Sequence, residues 1–207
     1  MGWTDQVRLV SWDVDGTLYS VEKMKLRLFA RLVALTLTGG GRKASQDLKV
    51  LKLRRQLIDQ ARVAGGVLDG TVIGESQVET EKRWYFEAIR KTGPRPGLVE
   101  VVEFLHAQSI EQVVYSDYES EYKLDALGLT NLFQKIYVGE RLGYAKPNPK
   151  VLELIASDFG LTTGQILHIG DRVDADELAA TSAGCKSLIF GRDFRDFRSL
   201  LRQQQRT

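Results

Sequence analysis

Five short apolar runs punctuate the chain: VRLVSWD (7–13), EQVVYSD (111–117), KIYVG (135–139), ILHIGD (166–171) and CKSLIF (185–190). Each is rich in branched apolar residues and gives way to a polar residue or a glycine. That is the pattern of a strand buried on both faces of a parallel sheet. Helical patterns lie between the runs. In 97–108, Val101, Val102 and Leu105 share a face; in 148–160, Val151, Leu154 and Ile155 do the same, with Gly160 as a stop. Segments 174–184 and 194–203 complete the alternation. Strand and helix in turn predict an α/β fold: a Rossmann-like parallel sheet, right-handed crossovers, and helices on both faces.

Residues 19–92 break the alternation and contain no strand pattern. In 21–37, Met24, Leu28, Leu32 and Leu35 recur at helical spacing, and the Gly39-Gly40-Gly41 triplet ends that helix. A second helix is expected over 47–64, closed by Gly65-Gly66. A third is expected over 76–91, with Ser76 as N-cap and Glu79 three residues on. TGPRPG (92–97) then returns the chain to the sheet pattern. The expected organisation is an α/β core of residues 1–18 and 93–207, with a small all-helical cap domain at 19–92.

Composition narrows the function classes. The 207 residues are 43% hydrophobic and 27% charged, ordinary values for a globular protein. A net charge of +2 is too small to argue for a nucleic-acid partner. The N-terminal stretch lacks the apolar core of a signal peptide, and LFARLVALTL is too short to span a bilayer. Cys185 stands alone, so no internal disulfide framework exists. These features point to a cytoplasmic protein with no membrane or nucleic-acid partner; they leave the oligomeric state open. Charge is nevertheless uneven. Between residues 21 and 65 there are eleven cations and three anions, a local +8. Most suit a solvated helical face, but together they also make a field that draws anionic substrate.

In parallel α/β sheets, ligands bind beyond the carboxyl ends of the strands. The residues found there are Asp13 and Asp15 after the first run, Ser116 at the end of the second, Lys146 in YAKPNP, and Asp171, Asp174 and Asp176 after the fourth. Paired carboxylates this close repel unless a cation compensates them. An EF-hand loop is a poor match, because Gly16 comes at position four and follows a strand. Gly16 suits a tight backbone approach to a phosphate, with N–H groups around Val14 to Thr17 as donors. The ordered set DVDGT (13–17), Ser116, Lys146 and GDRVDAD (170–176) resembles the haloacid dehalogenase (HAD) superfamily of hydrolases, in particular its phosphatases with a helical cap inserted after the first motif.

The resemblance implies a central first strand, with the 111–117 strand on one side and the 166–171 strand on the other. It implies Mg²⁺ held by Asp13, Asp171 and the main-chain carbonyl of Asp15. It makes Asp13 the nucleophile that forms an aspartyl-phosphate and Asp15 the general acid and base, two carboxylates whose pKa values should be pushed apart. Ser116, Lys146, Gly16 and Thr17 would bind the phosphate, and Asp176 would orient metal-bound water or Lys146. Tyr19 and Lys23 are candidates for substrate contact. The expected substrate is a small phosphorylated metabolite. A sugar phosphomutase shares the same residues, and a weakly catalytic binding or regulatory module on this fold is the alternative from another class.

Other residues take simpler readings. His168 reads as a core histidine and His106 as a helix-end histidine. Cys185 reads as a small buried apolar residue, and Trp84, Tyr85 and Phe86 as cap core. Asp174 divides evenly between helix cap and site. Arg172 stands where many relatives carry a small hydroxyl residue, either tuning the site or pointing outward. The glycines at 39–41 and 65–66 would permit cap movement.

Overall fold

The computed structural model describes residues 4, 6–68 and 74–204. Five parallel strands form one sheet in the order β3-β2-β1-β4-β5: β1 (Leu9–Trp12), β2 (Glu111–Ser116), β3 (Lys135–Val138), β4 (Ile166–Gly170) and β5 (Lys186–Ile189). The central strand pairs with β2 and β4, so Leu9 lies opposite both Glu111 and Ile166. Alternation along the strands builds two cores. Val10, Trp12, Val114 and Ile169 pack with Leu98 and Leu105 of α4 (Leu98–Ala107) and with Phe197 and Leu200 of α9 (Phe197–Gln204). On the other face, Leu9, Val113, Tyr115 and Ile166 meet Leu152 and Ile155 of α7 (Lys150–Asp158) and Ala179 and Ala180 of α8 (Leu178–Ala183). In α7 the inward residue is Leu152. Leu154, expected on that face, is 38% exposed because the buried stripe runs through 151, 152 and 155.

Three helices follow β1: α1 (Val21–Leu37), α2 (Gly41–Val63) and α3 (Glu75–Thr92). Trp84 of α3 anchors them against Ala44, Leu51, Leu28, Leu32 and Leu35, and its indole N–H donates to Asp47 (2.8 Å). The glycine triplet both ends α1 and starts α2. The latter begins six residues earlier than expected, because Ala44 is needed in that cluster. Gly74, not Ser76, caps α3; Ser76 is its second residue.

The return from α2 is fastened to the sheet side. Gly66 accepts from the Ala145 N–H (2.7 Å), and Leu68 donates to Gly143 O (2.9 Å). Gly66 has φ +76°, and a Cβ there would lie 2.1 Å from Ala145 O, so only glycine permits this pairing. Two short helices were not anticipated, α5 (Glu121–Leu127) and α6 (Gly139–Leu142). Among the described residues, no helix is long and apolar enough to cross a membrane.

Candidate active site

The carboxyl ends of β1, β2 and β4 open into a cavity of about 300 Å³. Its lining includes Asp13, Asp15, Ser116, Lys146, Asp171 and Asp176, six residues expected to act together and brought together here from four chain segments. Val21, Glu22 and Lys25 of α1 and Arg55, Asp59 and Arg62 of α2 close the opposite wall.

Asp13 leaves β1 with its N–H donating to Ile169 O (2.9 Å), which fixes the backbone at the sheet end. One carboxylate oxygen accepts from Lys146 Nζ (2.5 Å) and the other from the Thr17 hydroxyl (2.9 Å). Burial raises the Asp13 pKa well above the usual carboxylate range; Lys146 pulls against this, and Asp176 and Asp171 add to it. Lys146 is itself buried. Burial favours its neutral form, yet Asp13 and Asp176 hold its pKa well above the ordinary lysine value. Its main-chain N–H donates to Asp117 (2.8 Å), whose other oxygen accepts from Arg62 (2.7 Å). Arg62 also donates to Lys146 O (3.2 Å), so α2 braces the lysine loop.

Asp15 has a different environment. Oδ1 accepts from the Tyr19 hydroxyl and Oδ2 from Lys123 Nζ (2.5 Å). Burial opposes its charge, but Lys123 and Tyr19 together keep its pKa below the ordinary range. The two aspartates are therefore driven apart, as the resemblance implies.

Asp176 is buried on a π-helical turn (Val173–Glu177). Oδ1 takes Lys146 Nζ (2.7 Å) and His168 Nε2 (3.1 Å), while Oδ2 takes the N–H groups of Asp171 (3.2 Å) and Arg172 (2.9 Å). His168 is a core histidine, as expected, but it is also tied to the site. With Nε2 protonated, Nδ1 is free to accept from Ser11 (3.1 Å), and burial lowers its pKa. Asp171 is half-buried, its Oδ1 has no partner, and burial next to Asp176 raises its pKa to about 6. Gly16 (φ +97°) packs against it so closely that a Cβ would lie 2.0 Å from Asp171 Oδ2. Ser116 Oγ accepts from the Tyr118 N–H (3.3 Å), which leaves its proton free to donate.

Several expectations need correction. Tyr19 is fully buried with its hydroxyl on Asp15, outside the lining of that cavity. Lys23 is exposed and also outside that lining; Lys25, half a helical turn further on, is the α1 lysine found there. Asp174 is exposed and makes no helix cap, pairing with Arg172 (3.0 and 2.5 Å) instead. Cys185 is half-buried beside the α7–α8 core, with its thiol pushed up to about 12 by burial.

Two residues were missed. Lys123 lies on α5, whose seven residues carry too little periodicity to register. Arg95, in the return segment, donates to Gly16 O (3.0 and 2.6 Å) and stacks over Phe190 (3.8 Å). Its neighbour prolines signal a turn, and nothing local signals the contact.

Oxygens of Asp13, Asp171 and Asp176 lie within 4.8 Å of one another. Asp15 is paired with Lys123, and of the three clustered carboxylates Asp13 and Asp176 share Lys146. The unpartnered Asp171 oxygen and this deficit of positive charge fit a hard divalent cation, which prefers carboxylate oxygen.

Residues 7–184 match the family of haloacid dehalogenase-like hydrolases. The phosphoglycolate phosphatase of Aliivibrio fischeri is 26% identical over 197 residues, covering 88% of this chain and 83% of that protein. The phosphoglycolate phosphatase of Pseudomonas putida is 27% identical over 192 residues, covering 89% and 70%. Among solved structures, the HAD-hydrolase YfnB from Bacillus subtilis, bound to magnesium, superposes with a TM-score of 0.69 at 16% identity over 96% of this chain and 99% of that one. A 2-haloacid dehalogenase from Pseudomonas syringae gives 0.65 at 17% over 97% and 99%. The sheet order, the converging acids and the match over most of the chain agree: it belongs to the haloacid dehalogenase-like hydrolase family, on its phosphatase side.

Proposed function

We propose that the chain is a Mg²⁺-dependent phosphatase that hydrolyses a small phosphate monoester through an aspartyl-phosphate on Asp13. The observation that carries this reading is the meeting of Asp13, Ser116, Lys146 and Asp171 around one cavity beneath cationic helices. In the same reading, residues 19–92 form a cap over a core of 1–18 and 93–207, in the cytoplasm. Lys25, Arg55 and Arg62 supply positive charge on the cap wall for an anionic substrate. Small phosphorylated acids, such as the phosphoglycolate named for the relatives, are the first to try.

Asp13 and Asp171 would hold the cation, together with the Asp15 carbonyl that the resemblance implies. Asp176 already accepts from four donors, which suits it to orienting Lys146 and the Asp171 backbone instead. When bound, Mg²⁺ neutralises clustered negative charge and polarises phosphoryl oxygen.

In the first half-reaction, Asp13 forms an O–P bond as the ester O–P bond breaks, and Asp15 gives a proton to the leaving alkoxide. Ser116 donates to a phosphoryl oxygen, and Lys146 supplies fixed positive charge beside the nucleophile. In the second, Asp15 takes a proton from water as that water attacks phosphorus, releasing phosphate and restoring Asp13. The lowered pKa of Asp15 favours the ionised form that this second step requires.

Release of free phosphate from p-nitrophenyl phosphate, and from a panel including phosphoglycolate, should require Mg²⁺. Asp13→Asn should lower kcat by about a thousandfold or more, since it removes the nucleophile. Full activity in Asp13→Asn, or turnover indifferent to chelation, would refute the reading; isomerised sugar phosphate without free phosphate would replace it with a mutase.

A further inference from the structure

The candidate active-site cavity leaves a buried chain of charges unexplained behind Asp15. Lys123 of α5 is 1% exposed and does not line that cavity. Its Nζ lies 2.5 Å from Asp15 Oδ2 and 3.7 Å from Glu81 Oε1 of α3. Glu81 is buried too; it accepts from the Tyr122 hydroxyl (2.8 Å), and its other oxygen is paired with Arg54 of α2. Arg54 continues to Glu140 of α6, which accepts from the Glu119 N–H (2.6 Å). The void beside this cluster is only about 20 Å³, room for about one water and none for substrate.

A buried charge without its partner is costly, so Lys123 needs both of its carboxylates. One belongs to the loop after β1 and the other to the helical segment. With Tyr19 on Oδ1, Lys123 completes a two-sided clamp on Asp15 that lets the carboxylate turn in neither direction. Seating α3 brings Glu81 to the lysine; lifting α3 and α2 away takes Glu81 and Arg54 with them.

We propose that Lys123 is a positioning residue which aims the Asp15 carboxylate and couples that aim, through Glu81, to the seating of the three helices on the sheet. This rests on the reading of Asp15 as acid and base. Lys123 does not line the substrate cavity; it acts through Asp15, where proton transfer to the leaving group matters most.

The test compares phenyl phosphate, a poor leaving group, with p-nitrophenyl phosphate, which needs little protonation. Full-length protein is used with Mg²⁺. Lys123→Met should lose at least tenfold more kcat on phenyl phosphate than on p-nitrophenyl phosphate, with each KM within threefold of wild type. Lys123→Arg should recover part of the loss, and Glu81→Gln should show the same selective loss at smaller size. An equal loss on both substrates, a change in KM alone, or unchanged kcat would overturn the proposal. If Lys123→Met gives no cooperative melt, Glu81→Gln decides by the same criterion. Asp15→Asn separates the two levels. If it shows selective loss and the lysine variant does not, only the coupling fails; if it shows none, the acid–base reading falls and takes the coupling with it.

Discussion

Asp13 and Asp15 are two positions apart and live in opposite electrostatic surroundings. Asp13 is crowded by Asp171 and Asp176 and shares Lys146 with Asp176; Asp15 is held by Lys123 and Tyr19, away from that cluster. The division was foreseeable from the DVDGT motif as a chemical need, but its means were not. Lys123 lies 108 residues beyond Asp15, inside a helix with no motif of its own. Gly16 shows how narrow the margins are. An alanine there would be strained at φ +97° and would collide with the Asp171 carboxylate. Gly16→Ala should cost about 1–3 kcal/mol of stability and should also weaken Mg²⁺ binding, because the side chain that must move is a candidate ligand. Calorimetric titration with Mg²⁺ and a denaturant midpoint check both parts; an unchanged Mg²⁺ affinity would count against Asp171 as a ligand.

Helices α1 to α3 were legible as elements, since their apolar spacing is long enough to read; their ends were not. The start of α2 was displaced by a tertiary demand for Ala44, and α3 is capped at Gly74 although Ser76 offers better capping chemistry. These helices are held to the sheet side by charge as well as by Met24, Ala88 and Ile89, which join the core cluster of Val10 and Trp12. Arg54 is 2% exposed and lies between Glu81 and Glu140. Removing it takes the paired cation from the buried Glu140 and leaves Glu81 with Lys123 alone, at 3.7 Å. Arg54→Met should therefore destabilise the fold by about 3–5 kcal/mol, while a triple Arg54→Met, Glu81→Leu, Glu140→Leu variant should regain much of that. Urea unfolding measures the difference. A small loss in the single variant would show the network to be better hydrated than its burial indicates.

Across the whole molecule, charge is segregated. The +8 between residues 21 and 65 is partly spent internally: Arg54 is buried and Arg62 braces Asp117, whereas Lys25 and Arg55 face the cavity. On the sheet side, excess negative charge links stability to pH and metal. Asp171 titrates near 6 in the folded protein against an ordinary 3.8, so between those values the folded state binds more protons than the unfolded one. Stability contributed by this group falls as pH rises through that window. Asp15 and Asp176, with lowered pKa values, act in the opposite sense, and only at more acid pH. As the proposed ligand, Asp171 would exchange its proton for Mg²⁺. The rise in Tm on adding Mg²⁺ should therefore be larger at pH 7.5 than at pH 5 and should largely disappear in Asp171→Asn. Thermal melts at both pH values with chelator or Mg²⁺ test this, and an equal rise at both would refute it.

The sequence by itself determined the parallel sheet, the helical interruption after β1, and the gathering of Asp13, Asp15, Ser116, Lys146, Asp171 and Asp176 beyond the strand ends. Strand periodicity and residue chemistry are local, and a strand end is where an α/β sheet must place its ligand. Only the tertiary structure decided that Asp176 is already filled by four donors, that Tyr19 serves Asp15 and not the cavity, and that Lys25 faces the cavity where Lys23 does not. It alone joined Lys123 to Asp15 and to Glu81. The lysine's two partners lie 108 and 42 positions away in the chain, and no local pattern encodes a partner that folding brings from so far along it.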